Sequence, residues 1–166
     1  MTRNRALFGA IVLVLVAAAV AVAATGSAGA SAGDAGNQIA GTWNVTVHRP
    51  APLPALVSLQ VFTSDGSWIE ASSEPPATRT PQFGSWERID GRLYAASGTF
   101  LRFDPATGAH VGTMKINRTM RLSQDGQSMA VVARATLYDL NGNVVTSFPV
   151  VATGERIPVE RIPDEP

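Results

Sequence analysis

The chain has 166 residues, 13 basic and 13 acidic, and no cysteine. The missing cysteine excludes a disulfide framework, a thiolate metal site, a Cys nucleophile and a lipid anchor on Cys. Without a run of like charges, nucleic acid and anionic membrane are poor partners, since both call for clustered positive charge.

In chain order, Met1–Arg5 is a short basic start and Ala6–Ala24 is apolar or glycine throughout. Ala28-Gly29-Ala30 and Ala30-Ser31-Ala32 both fit a small-x-small cleavage site. Residues 1–30 therefore read as a secretory signal peptide. An uncleaved anchor is the alternative, because the apolar run approaches the roughly 20 residues that span a bilayer. Either way, the rest of the chain is expected outside the cytoplasm, secreted or in the cell envelope. Beyond the signal the charge is 11 − 13 = −2, and no membrane contact other than the signal segment is expected.

Residues 31–40, rich in Gly, Ala and Ser, read as a flexible leader. Trp43, Val45 and Val47 then alternate with Thr42, Asn44, Thr46 and His48, the period-two pattern of a half-buried strand. The proline-rich stretch 49–54 cannot supply a hydrogen-bonded ladder and forms a loop. Next, Val57, Leu59 and Val61 alternate with Ser58, Gln60 and Phe62. Ser64-Asp65-Gly66 closes a hairpin that returns over Ser67–Ala71, and residues 73–82 form a second proline-rich loop.

Five further strands follow, at Phe83–Ile89, Arg92–Phe103, Ala109–Leu122, Gln127–Tyr138 and Val144–Gly154. The turns between them contain Asp90-Gly91, Asp104–Gly108, Asp125-Gly126 and Asn141-Gly142. Asp-Gly and Asn-Gly between alternating segments are strong hairpin signals. Eight strands joined in succession by short turns predict an all-β meander. Sheet twist and the liability of free edges favour closing it into an eight-stranded antiparallel up-and-down barrel over 41–157. A two-sheet sandwich is the alternative, disfavoured because sandwiches use crossover connections. Residues 158–166 read as a Pro-rich C-terminal tail.

The chain resembles a small bacterial lipocalin-like (calycin-type) barrel. The residues that carry the likeness are Gly41-Thr42-Trp43, Gly84-Ser85-Trp86, Leu122–Gly126 and Gly154-Glu155-Arg156-Ile157. The resemblance implies that Trp43 plugs one end of the barrel and that Arg156, from the last strand, packs over it. The chain lacks the aspartate motif between strands six and seven and the disulfide of larger lipocalins.

In the sixth strand, period two places Arg118 on the apolar face with Met114, Ile116 and Met120. A charge there is costly unless paired. Arg118 reads either as an anchor for an anionic head group or as the partner of an internal carboxylate, with Glu87 the nearest candidate. Met114, Met120 and Met129 supply either an adaptable apolar lining or a filled core. Trp68, Trp86, Phe100 and Phe103 are candidates for the barrel mouth, and the small residues Ala95, Ser97, Gly112, Ala133 and Ala135 leave room for a cavity.

Nucleophile and phosphate-loop motifs are missing. His48 and His110 are too few and too separated for a metal site, and no cofactor is expected. The leading expectation is a non-catalytic exported barrel that binds a small, largely apolar molecule. The alternatives are a barrel-type cyclase or isomerase using Glu87 and Arg118, and a ligand-free envelope interaction module. The residues leave the oligomeric state open.

Overall fold

The computed structural model describes residues 38–49, 52 and 54–160. The expected signal peptide, most of the leader and the end of the tail lie outside the described residues. Eight strands occur in chain order: β1 (Gly41–His48), β2 (Leu56–Phe62), β3 (Ser67–Ser72), β4 (Gln82–Asp90), β5 (Leu93–Phe103), β6 (His110–Leu122), β7 (Ser128–Tyr138) and β8 (Val144–Arg156). Each pairs antiparallel with its sequence neighbour, and β1 also pairs with β8, which closes the barrel. The up-and-down barrel is thus the fold, and it is consistent with a lipocalin-like architecture. A single 3₁₀ turn at Pro76–Thr78 interrupts the β3–β4 loop.

The turns set the register. In the β2–β3 turn, Asp65 accepts from the Ser67 amide and the Thr63 hydroxyl, while Gly66 takes the positive φ of 91° that the reversal needs. The β6–β7 turn repeats this arrangement, with Asp125 accepting from Ser123 and Gln127 and Gly126 at φ 70°. These hydrogen bonds hold both aspartates below the usual carboxylate pKa.

Both turns lie at the closed end. There Trp43 is fully buried, its indole N–H donates to Ile39 O at 2.9 Å, and Arg156 lies over its ring with the guanidinium carbon 4.4 Å from the centroid. Trp43 and Arg156 are register partners, because β8 runs two residues beyond the expected Gly154. The guanidinium also donates to Gly126 O at 3.0 Å, Ala40 O at 2.8 Å and Gln38 O. One side chain so ties the last strand to the residues before β1 and to the β6–β7 turn. Phe62, Trp86, Tyr94, Met120, Leu122 and Met129 complete the core behind this plug.

The wall made by β2, β3 and β4 departs from the simple pattern. On β2 the buried positions are Ser58, Gln60 and Phe62, whereas Val57, Leu59 and Val61 face out. On β3 Trp68 and Glu70 point in and Ile69 points out; on β4 Gln82 is buried and Phe83 is exposed. The amphipathicity of this wall is therefore inverted, with polar side chains inside and apolar ones outside. The cause is register. Phe62 and Trp68 are cross-strand partners flanking a tight turn, and their inward burial fixes the phase of every residue before and after them.

Candidate functional site

The inverted wall delivers a polar cluster to the interior. Gln60, Glu70 and Gln82 are successive cross-strand partners on β2, β3 and β4, so a carboxylate sits between two carboxamides. All three are buried. From the far wall, β6 adds Arg118, 7% exposed, whose guanidinium carbon lies 3.5 Å from the Trp68 ring centroid and 5.1 Å from that of Phe62. The loop before β4 adds Arg79, whose Nη1 is 3.4 Å from Glu70 Oε1 and 3.3 Å from Glu74 Oε2, with its guanidinium carbon 3.6 Å from the Phe100 centroid. Hydrogen bonds from Thr80 N to Leu101 O and from the Leu101 amide to Thr80 Oγ1 pin that loop to β5.

The cluster is under-satisfied. Arg118 Nε and Nη2, Arg79 Nη2, Gln60 Oε1, both ends of the Gln82 amide and the Trp68 indole N–H have no hydrogen-bond partner among the described residues. Gln60 does donate from Nε2 to Ser58 Oγ at 2.8 Å. Loss of water pushes the Arg118 guanidinium down to about 9, against the opposing pull of Glu70. Burial likewise raises the Glu70 carboxyl, while Arg79 and Arg118 pull it back. Buried polar groups are ordinarily paired, and one left unpaired costs about 1–3 kcal/mol, more when charged. Donors outnumber acceptors among these unpartnered atoms, which suits an electron-rich guest.

Toward the open end, the inward positions of β6, β7 and β8 continue through Ile116 and Met114, Ala135 and Leu137, and Phe148 and Val150. Phe148 is 39% exposed, while Met114, Ile116 and Leu137 are half-buried. The open end is thus apolar on the β6–β8 side. Glu70, Arg79 and Gln82 stand on the other.

Of the residues singled out in the sequence, Arg118 does point inward, and Met120 and Met129 are buried in the core near the plug. Met114 lies farther toward the mouth. Trp68 and Trp86 belong to the buried core rather than the rim. Phe103 lies at the rim beside His110, ring centroids 5.8 Å apart. Glu87 is exposed on the outer wall, because Trp86 takes the inward phase of β4, so Glu70 stands where an internal carboxylate was sought.

Of the small residues, Ala133 and Ala135 share the inward phase of their cross-strand partners Arg118 and Ile116, but Ala95 and Ser97 do not. Ala95 and Ser97 face out and, with Ser85, Glu87, Asn117 and Arg134, line a depression of about 630 Å³ on the outside of the barrel. Inside, Trp68 fills the space over Gly98, where an added Cβ would meet the indole at 2.8 Å. Reading phase from Phe62 and Trp68, the bulkiest side chains of β2 and β3, instead of from the valines and leucines would have found Gln60 and Glu70. No protein-family model matches the chain, and no curated protein matches it significantly.

Proposed function

We propose that the protein is exported and binds one small amphipathic anion in the open half of the barrel, without catalysing a reaction. The head group meets Arg118, and the apolar part lies along Met114, Ile116, Leu137 and Phe148. The observation that carries this reading is the buried Arg118 guanidinium with Nε and Nη2 unpartnered. A positive charge kept so deep, with free donors, is expensive for a protein that only needs a packed core. Arg79 holds both Glu70 and Glu74, so Arg118 is left without an ion-paired carboxylate among the described residues, and a singly charged anion would supply one.

The test is a titration of intrinsic tryptophan fluorescence with alkyl carboxylates of increasing chain length and with the alcohols of matching length. Arg118 stacks on Trp68, so a guest that engages the guanidinium must perturb that indole. Saturable quenching or enhancement by carboxylates, at least tenfold weaker for the alcohols, is expected. A flat response across both series would leave the barrel without this function.

A filled barrel acting through its outer wall is the second reading, favoured by Trp68 lying over Gly98 and by the packed plug end. The enzyme alternative loses one of its two polar groups, since Glu87 lies on the outside.

A further inference from the structure

The inverted wall has an outer side as well as an inner one. Val57, Leu59 and Val61 succeed one another along β2, and Val61, Ile69 and Phe83 are direct cross-strand partners over β2, β3 and β4. Leu101 on β5 lies diagonally beside Phe83. Phe83 is 60% exposed, Leu59 53% and Val57 44%. These six side chains leave roughly 500 Å² of contiguous apolar surface in solvent, at the upper end of the largest patch on ordinary monomers. The surrounding outward positions Thr42, Asn44, Thr46, Ser85 and Thr99 are all uncharged. Charge begins just beyond this border, with Glu155 the cross-strand partner of Asn44 on one flank and Lys115 that of Thr99 on the other, both exposed.

We infer that this face is a two-fold interface between two copies of the chain. Three features select a second copy over another occupant. In an isologous contact a patch meets itself, so any charge at its centre faces a like charge. The centre of such a surface is therefore best left neutral, as it is here, while Glu155 on one flank and Lys115 on the other carry opposite signs that a two-fold axis between them brings face to face. A partner recognised by charge would instead require a sign.

The area also suffices. The apolar centre with its neutral border approaches the roughly 800 Å² per partner that a stable complex buries. Finally, the closed barrel offers no free strand edge, so association by strand addition is unavailable and contact must be face to face. The hydroxyls and amide of Thr42, Asn44, Thr46 and Thr99 can both donate and accept. They can pair across the axis without regard to sign.

Sedimentation velocity at about 100 µM chain, on protein purified from its own source, tests this directly. The wild type is expected to sediment as a dimer. Ile69→Asp and Phe83→Glu each place like charges across the axis and are expected to weaken association at least 100-fold, leaving far-UV circular dichroism unchanged. Arg134→Glu, on the outer side of β7 and away from the face, is expected to leave the dimer intact. Should Ile69→Asp fail to fold, Phe83→Glu decides, since its side chain already stands mostly in water. A monomeric wild type overturns the inference, and so does a dimer that survives Phe83→Glu. Binding of a monomeric wild type to phosphatidylcholine vesicles, lost in Phe83→Glu, would assign the face to a lipid surface and equally overturn it.

Discussion

Replacing Arg118 by methionine is expected to make the protein more stable. The residue is 7% exposed, and burial pushes its guanidinium well below the ordinary arginine value, to about 9. A displacement of that size disfavours the charged form by about 5 kcal/mol. Stacking on Trp68 and Phe62 returns about 2 kcal/mol in a desolvated site. Methionine spans a similar length, keeps the van der Waals contact with Trp68 and leaves no donor unpaired. Glu70 is not stranded by the change, because Arg79 remains 3.4 Å from its carboxylate. The balance is a gain of about 1–3 kcal/mol, within the range seen when buried ionic groups are replaced by apolar ones. Urea unfolding followed by tryptophan fluorescence, extrapolated linearly to water, measures it. A loss of more than about 1 kcal/mol would refute the reasoning. Arg118 would then be a packing element of the barrel, not a charge retained for a guest.

Changes at three other positions follow from the same geometry. Arg156→Met removes a cation–π contact and three charge-assisted hydrogen bonds at the plug, partly open to water, and should cost about 2–4 kcal/mol in urea unfolding. Arg156→Lys should recover only part of that loss, since an ammonium cannot reach all three carbonyls at once. Glu70, raised above its ordinary 4.5 by burial, binds more protons folded than unfolded between 4.5 and its folded value. Its contribution to stability is therefore full below 4.5 and lost as the pH rises through the folded value. Glu70→Gln should flatten that stretch of the stability–pH curve; an unchanged slope would show that another group titrates there. Gly84→Ala places a Cβ against Ser97 O and 2.6 Å from Gly98 Cα, backbone that cannot yield cheaply, and should lower the unfolding midpoint well beyond a surface Gly→Ala.

The strand count, the meander and the closure were legible because turn chemistry is local. Asp-Gly and Asn-Gly mark reversals wherever they stand, and alternation between them needs no tertiary information. The plug was legible through resemblance, with Trp43 and Arg156 meeting as that likeness implies. The phase of β2–β4 was less so. Period two says that two faces differ, but not which one meets the core. On β2 the aliphatic face carries three branched residues against one phenylalanine, so composition points the wrong way. Phe62 prevails because it packs on Trp68 and Trp86, rings 6.1 and 6.4 Å away, contacts brought by later strands. Glu70 and Gln60 were hidden for that reason, and Arg79 because a loop residue has no periodicity to read.

The inversion of one wall links the two proposals. Local preference is broken on the same three strands twice, once by polar groups turned inward and once by apolar groups turned outward. Such departures from consistent patterning are expected where function, not stability, has set the residue.

On the proposed reading, the unpartnered guanidinium of Arg118 is kept for an anionic guest. Native mass spectrometry of the protein purified from its own source tests it most directly. The prediction is one small, negatively charged molecule per barrel, released on collisional activation and absent from Arg118→Met prepared in the same way. A wild type that carries only its own mass, or an adduct retained equally by Arg118→Met, would contradict it.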